Sequence, residues 1–227
     1  DRYAKPHWAA LAGLQYLLQR KGPVASSLFE TGGFWYADRD ARSPDIQFHL
    51  GLGTGIEHGV VSMPQGGVTL NSCYLRPRSR GTVRLQSPDP SAAPLIDPNY
   101  LEDPRDRELS IEGLKLTQEI LAQEPLKPFI LAERLPGPGV KTDQDYFDFI
   151  CEHSKTSHHC AGTCRMGADA EAVVDIRLRF NGIDGLRVVD NSIMPTVIAS
   201  NTNAAAIMIG EKAADMIRED HLLGAAA

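Results

Sequence analysis

Apolar residues along the chain gather into short periodic stretches, separated by connections rich in Gly and Pro. From Trp8 to Leu18 they recur as on a helix, and Lys21-Gly22-Pro23 ends it, because Gly leaves the helical region and Pro cannot continue it. Asp45 to Leu50 alternates polar and apolar side chains, the period of a half-buried strand. Val68 to Leu75 and Thr82 to Leu85 predict two more strands, with Arg76 to Gly81 as a basic turn between them. Asp103-Pro104 opens a helix: the carboxylate accepts from free N–H groups, and Pro suits the first helical position. Leu109, Gly113, Leu116 and Ile120 then repeat at helical spacing, carrying that helix to about Ala122. Thr142 and Asp145 form a capping box ahead of a short helix through Tyr146, Phe149 and Ile150. Leu186-Arg187-Val188-Val189-Asp190 predicts a short strand ending in a carboxylate. Asn203 is the expected N-cap of a last helix, roughly residues 204–217.

Strands and helices without regular βαβ alternation predict an α+β fold rather than a complete doubly wound sheet. The best boundary lies near residues 154–157, between a helix and a loop of His, Cys and Gly. The chain has 227 residues, enough for one large domain or two small ones. With 42% hydrophobic and 23% charged residues it has an ordinary globular composition, which sets aside disorder, collagen and coiled coil. The net charge of −6, without a Lys/Arg cluster, argues against a nucleic-acid partner and a polybasic membrane anchor. The longest uncharged stretch, Asn191 to Gly210, carries Pro195, Ser200, Asn201, Thr202 and Asn203 and is too polar to span a bilayer. Four cysteines, at 73, 151, 160 and 164, do not make a disulfide framework at this length, so a reducing, cytoplasmic setting is expected, with peripheral membrane attachment as the alternative. The chain opens on Asp1 without an initiator Met, and the natural start is expected to lie upstream.

Chemistry concentrates in two places. His158-His159-Cys160-Ala161-Gly162-Thr163-Cys164-Arg165-Met166-Gly167 sets two imidazoles and two thiols in one loop of small residues. A zinc site with His153 as a further donor, a Cys nucleophile with a neighbouring His, and a His general base all fit those residue types. The spacing matches no standard zinc finger, and the histidines could equally just cap a turn. The second place is Val189-Asp190-Asn191-Ser192-Ile193-Met194-Pro195, followed by Ser200-Asn201-Thr202-Asn203 at the start of the last helix. A carboxylate at a strand end can bind a cofactor hydroxyl, and a helix N-terminus favours negative charge; the plain alternative is that Asp190 ends a strand and Asn203 caps a helix. Gly51-Leu52-Gly53-Thr54-Gly55 lacks dinucleotide spacing and a following helix, so it reads as a loop. Walker A, G-x-S-x-G and HExxH motifs are absent.

Both places resemble the C-terminal half of the glucose–methanol–choline (GMC) oxidoreductases, and the branch like bacterial choline dehydrogenase most of all. The resemblance rests on His159-x-Ala161-Gly162-Thr163-Cys164-Arg165-Met166-Gly167, on Leu186 to Pro195, and on Asn201-Thr202-Asn203 through Ile207-Met208-Ile209-Gly210-Glu211-Lys212-Ala213-Ala214-Asp215. Leu75-Arg76-Pro77-Arg78-Ser79-Arg80-Gly81 and Leu95-Ile96-Asp97-Pro98-Asn99-Tyr100-Leu101 extend it. It implies FAD-dependent oxidation of a small alcohol, His159 taking the hydroxyl proton while the substrate carbon passes a hydride to the flavin. It implies a second active-site side chain before the last helix, Asn203 by preference or Asn201. It places Asp190, Asn191, His158, Asn201, Thr202 and Asn203 along the cofactor. It further implies that residues 1–155 bind substrate on an antiparallel sheet with helices over one face, that 156–227 add the catalytic loop, a strand and the closing helix that complete a Rossmann-like FAD-binding domain, and that the N-terminal dinucleotide-binding half is missing from this chain. A homodimer is compatible with it. A hydroxynitrile lyase on the same fold, or a fragment inactive alone, is the alternative function.

Overall fold

A computed structural model describes residues 5–27, 29–54 and 66–225. The fold is mixed: four α-helices and two small antiparallel sheets among the described residues. Contacts divide the chain into two compact units, residues 1–74 with 109–154, and residues 75–108 with 155–227. A boundary thus falls near residue 154, and the segment 75–108 groups with the C-terminal residues.

In the first unit, helix α1 (Pro6–Gln19) starts on a proline and ends at Arg20, whose left-handed backbone (φ 55) lets its N–H reach the Tyr16 carbonyl. The stop therefore comes from Arg20, just before the expected Lys21-Gly22-Pro23. Strands β1 (Thr31–Trp35), β2 (Ile46–Gly51) and β3 (Thr69–Tyr74) form a three-stranded antiparallel sheet in the order β1-β2-β3. The alternation in β2 predicted one wet face, yet Gln47 is 7% exposed beside buried Ile46 and Phe48. A central strand paired on both edges, Gln47 to Phe34 on one side and Cys73 on the other, buries its polar residue as well. The residues of β1 include Gly32 and Gly33 and carry no strand signal; pairing to β2 makes the strand, as tertiary context overrides a weak local preference. Of the glycine-rich loop after β2, Gly55 lies outside the described residues.

Helix α2 (Pro104–Leu121) begins as its sequence requires, with the Asp103 carboxylate accepting from the Arg105 N–H at 2.8 Å. Its residues from Leu109 onward belong to the first unit. There Leu109 joins Ile46 and Phe48 in a core flanked by Leu70, Tyr74, Leu116 and Ile120. A Cβ on Gly113 would stand 3.1 Å from Ser72 Oγ and 3.3 Å from Ile46 Cδ1, so the missing side chain is what lets helix and sheet close up. Helix α3 (Asp143–His153) has the predicted capping box, Thr142 accepting from the Asp145 N–H while the Asp145 carboxylate accepts from the Thr142 N–H.

In the second unit, β4 (Thr82–Arg84) and β5 (Leu95–Asp97) make a two-stranded sheet. The nearby turn is held by Asp106, 1% exposed, whose carboxylate accepts from the Arg78 and Ser79 N–H groups and the Ser79 hydroxyl. Helix α4 (Asn203–Ala225) lays Ile209 and Ala213 on Val174, Leu178, Ile193 and Met194, with Ala205 and Met216 beside them. These residues recur at helical spacing and form the stripe that buries the helix. The predicted strand at Leu186–Asp190 does not form; only Arg187 bridges to Arg179, and the Phe180 and Val188 N–H groups bond to Leu186 and Leu178 carbonyls. A single turn of pairing with residues 178–180 satisfies those groups without a ladder. Helix α4 runs beyond residue 217, where the hydrophobic pattern fades, and Asp220 on that extension accepts from Arg177, Arg179 and Arg187. No helix of the described residues is long and apolar enough to cross a membrane.

Two outcomes follow from this packing. Gly113→Leu puts a better helix former into α2, so any loss reports the contact with the sheet; overpacking costs about 1–3 kcal/mol. A lower urea midpoint with an unchanged slope is expected, and an unchanged midpoint would mean that helix and sheet do not touch there. The Arg179 hydrogen bond, with Arg187 and Arg177 adding, holds the Asp220 carboxyl at about 2. A depressed carboxylate stabilises the fold above its unfolded pKa, about 4, and that contribution disappears as pH falls toward 2. Thermal melts of the protein and of Asp220→Asn should therefore differ at pH 5 and converge as pH approaches 2; a constant gap would count against the ion pairs as its source.

Candidate functional site

The His/Cys/Gly loop is fastened to the segment 190–194 by its backbone. The Cys164 N–H donates to the Ser192 carbonyl at 2.9 Å, and the Met166 N–H to the Ile193 carbonyl at 2.8 Å. Between His159 and these anchors the chain turns at Gly162, which has φ 93; a Cβ there would also stand 3.3 Å from the Met194 carbonyl oxygen. Both the backbone sign and the crowding call for glycine. The receiving segment is itself rigidified: Asp190 Oδ1 accepts from the Ser192 N–H at 2.7 Å, capping the short turn Asn191–Ile193. Ile193 and Met194 are buried in the core under α4. Asp190 is thus the cap of a turn, where a strand end was expected.

This fastening puts His159, half-buried, beside residues 201 and 202. His159 Nδ1 lies 2.9 Å from Thr202 Oγ1 and 3.4 Å from the Thr202 N–H nitrogen. His159 Nε2 lies 2.8 Å from Asn201 Nδ2. Thr202 is 4% exposed, and its carbonyl accepts the first intrahelical bond, from the Ala206 N–H at 2.9 Å. That carbonyl makes Thr202 the cap residue of α4 and Asn203 the first helical residue, a correction to the expected Asn203 cap. Of the two asparagines singled out in the sequence, Asn201 meets the imidazole. Asn203 is exposed and makes no hydrogen bond to His159 among the described residues. The part of Thr202 as a partner of His159 was not legible: a separation of 43 residues leaves no local signal.

The ground around this imidazole suits an electron-rich planar group. Helix α4 presents its free N–H end here, has no acidic residue in its first turn, and opens on Asn203-Ala204-Ala205-Ala206, whose small side chains leave the backbone approachable. The Asn191 Oδ1 atom is buried and has no hydrogen-bond partner, a polar group still lacking its complement. His158 is exposed, in a left-handed conformation (φ 61), with its N–H donating to Thr156 Oγ1 at 3.0 Å. The N–H groups at the start of α4 are the donors that fit FAD at the end where reduction deposits negative charge. Cys160 Sγ lies 3.9 Å from Thr156 Oγ1, near Tyr100, whose phenol burial pushes up, with the Cys160 thiol adding and Thr156 opposing. No group of three His, Cys, Asp or Glu side chains gathers as for a metal ion among the described residues.

Comparisons with known proteins bear on the same residues. A family model described as GMC oxidoreductase matches residues 77–210. An alcohol dehydrogenase [acceptor] of Pseudomonas putida is 42% identical over 209 residues, covering 91% of this chain and 38% of that protein. An oxygen-dependent choline dehydrogenase of Rhizobium etli is 40% identical over 220 residues, covering 96% and 39%. Among solved structures, pyridoxine 4-oxidase from Mesorbium loti superposes with a TM-score of 0.76 at 33% identity, over 85% of this chain and 38% of that one. The chain spans about two-fifths of the length of these curated relatives. With its loop, turn and the start of the last helix inside the matched residues, the chain belongs to the GMC oxidoreductase family.

Proposed function

We propose that the protein carrying this chain oxidises an alcohol to the aldehyde or ketone with FAD, and that His159 is the general base of the reaction. The observation that carries this reading is the paired approach of His159 Nε2 and Asn201 Nδ2, 2.8 Å apart, beside the N-terminus of α4. A hydroxyl oxygen entering between them meets both groups needed for its ionisation. Nε2 takes the proton, and the Asn201 amide donates to the same oxygen as negative charge grows on it. Bound FAD supplies the hydride acceptor. Asn201, Thr202 and Asn203 with the free N–H groups of α4 would hold its electron-rich end, and His158, Asp190 and Asn191 would lie along it. The names of the relatives support the alcohol-oxidising class, and their greater length supports an N-terminal dinucleotide-binding half elsewhere in the same protein. Residues 1–155 would then shape the alcohol pocket, and 156–227 carry the base. The alcohol is a small molecule in this reading. Four cysteines, too few for a disulfide framework at this length, support a reducing, cytoplasmic setting.

In the full-length protein, His159→Ala should lower kcat by about a hundred-fold or more, as for loss of a general base. Unchanged turnover would remove His159 from the mechanism. Asn201→Ala should slow anaerobic flavin reduction by more than it raises KM, and by more than Asn203→Ala does. The reverse order of the two asparagines would move the second active-site role to Asn203.

A further inference from the structure

We propose that helix α1 (Pro6–Gln19) is an internal helix of the whole protein, enclosed on its leucine side by the part of the same polypeptide that precedes this chain. The helix carries no Asp, Glu, Lys or Arg, and its polar side chains are those of His7, Gln15, Tyr16 and Gln19. Among the described residues only Ala12 of α1 is buried, with Gly13 and Tyr16 partly covered. Leu11, Leu14, Leu17 and Leu18 are 52–75% exposed, and Trp8 is exposed beside His7. Leu11, Leu14 and Leu18 stack at spacings of three and four on the side away from Ala12. Leu17 and Trp8 widen that apolar face to about half the circumference, at about 100° per residue. A single exposed leucine is ordinary on a surface; four on one short uncharged helix make a contiguous patch, and such a patch marks a contact.

The chemistry of the helix selects what covers it. A helix lying on a membrane surface keeps a strongly charged face toward water, and α1 has none. A helix crossing a bilayer needs about 20 apolar residues. With 14 residues α1 rises only about 21 Å, short of a hydrocarbon core of about 30 Å. A second copy of this chain would cover one stripe about 100° wide and leave the flanking Leu17 and Trp8 in water. A helix that is apolar around most of its surface belongs inside a larger core. The length of the relatives points to the source of that core. This chain spans 38% of the Pseudomonas putida alcohol dehydrogenase [acceptor] and 39% of the Rhizobium etli choline dehydrogenase, so about three-fifths of such a protein lies outside it. The proposal rests on the reading that an N-terminal part exists in this protein, and not on the chemistry assigned to His159.

The test uses the full-length protein produced with photo-leucine, a diazirine analogue that replaces leucine with little change of shape. After illumination, mass spectrometry of the digested protein reads what Leu11, Leu14, Leu17 and Leu18 touch. A mixture of unlabelled and 15N-labelled protein separates links within a copy from links between copies. The expected result is links from these leucines to peptides upstream of Asp1 in the same copy. Links to another copy overturn the proposal in favour of a dimer face, and lipid adducts overturn it in favour of a membrane face. Links confined to residues 1–227, or an absence of links, overturn it as well. Leu14→Glu gives an independent reading. A charge set into a closed core lowers the thermal midpoint by about 5–10 °C, whereas on an open helix surface it shifts it by about 2 °C or less. The larger fall is expected, and a midpoint that hardly moves overturns the proposal; should the variant not fold, the cross-links decide alone. The intact mass of the protein expressed from its whole gene shows separately whether an N-terminal part is present, so failure of that reading is told apart from failure of the contact.

Discussion

Two backbone hydrogen bonds, from Cys164 to Ser192 and from Met166 to Ile193, hold together what the candidate site needs. Without them the His159 loop would be a surface excursion rich in small residues, free to sample many conformations at an entropic cost of about 1–2 kcal/mol per residue to fix. With them, the loop lies along the segment 190–194, whose own turn is capped by Asp190. Ile193 and Met194 in turn pack beneath α4, together with Val174, Leu178, Ile209 and Ala213. Every group near His159 is therefore tied to one core. The geometry around His159 is a consequence of packing in the second unit, and Gly162 is the place where the chain could not otherwise bend close enough to the Met194 carbonyl.

Helix α4 works at both ends. Its N-terminus carries a partial positive charge, with no acidic side chain in the first turn to cancel it. Toward its other end, Asp220 gathers Arg177, Arg179 and Arg187. A cluster of three guanidiniums around one carboxylate is worth more than an isolated surface pair, because each cation is positioned by the others' partner. The effect is to hold the long helix against residues 177–187 and so to fix where its N-terminus sits within this unit. The same helix buries its stripe of Ala205, Ile209, Ala213 and Met216 in the core. Orientation of the dipole toward the imidazole is thus determined by apolar packing in the middle and by ion pairs at the far end.

Much of this was legible in the residues. Helices with strong local grammar emerged at nearly their true bounds: Asp103-Pro104 for α2, and Thr142 with Asp145 for α3. What stayed hidden depends on partners distant in the chain. Thr31–Trp35 contains two glycines and becomes a strand only because β2 offers its edge. Leu186–Asp190 has strand-like residues but finds only a short pairing with 178–180. The site divides in the same way. The loop and the helix start were visible as motifs, and the choice between Asn201 and Asn203 was not, because a shift of two residues turns a side chain by more than half a helical turn. Only the cap geometry of α4, with Thr202 as its last non-helical residue, resolves which asparagine faces the imidazole.

That cap geometry also gives Asn201 and Thr202 a part beyond starting a helix, since both meet the imidazole. A capping residue is normally consumed by the helix: its side chain turns inward to accept from a free N–H. Here the Thr202 hydroxyl is turned to His159 instead, so the first N–H groups of α4 stay unsatisfied by their own cap. Leaving helix donors open is destabilising in an isolated helix. It is tolerable where a ligand with acceptor atoms completes them. The sequence gives up a cap of about 1 kcal/mol at this helix and directs the same hydroxyl to the imidazole. A helix start arranged only for stability would place its polar side chain the other way.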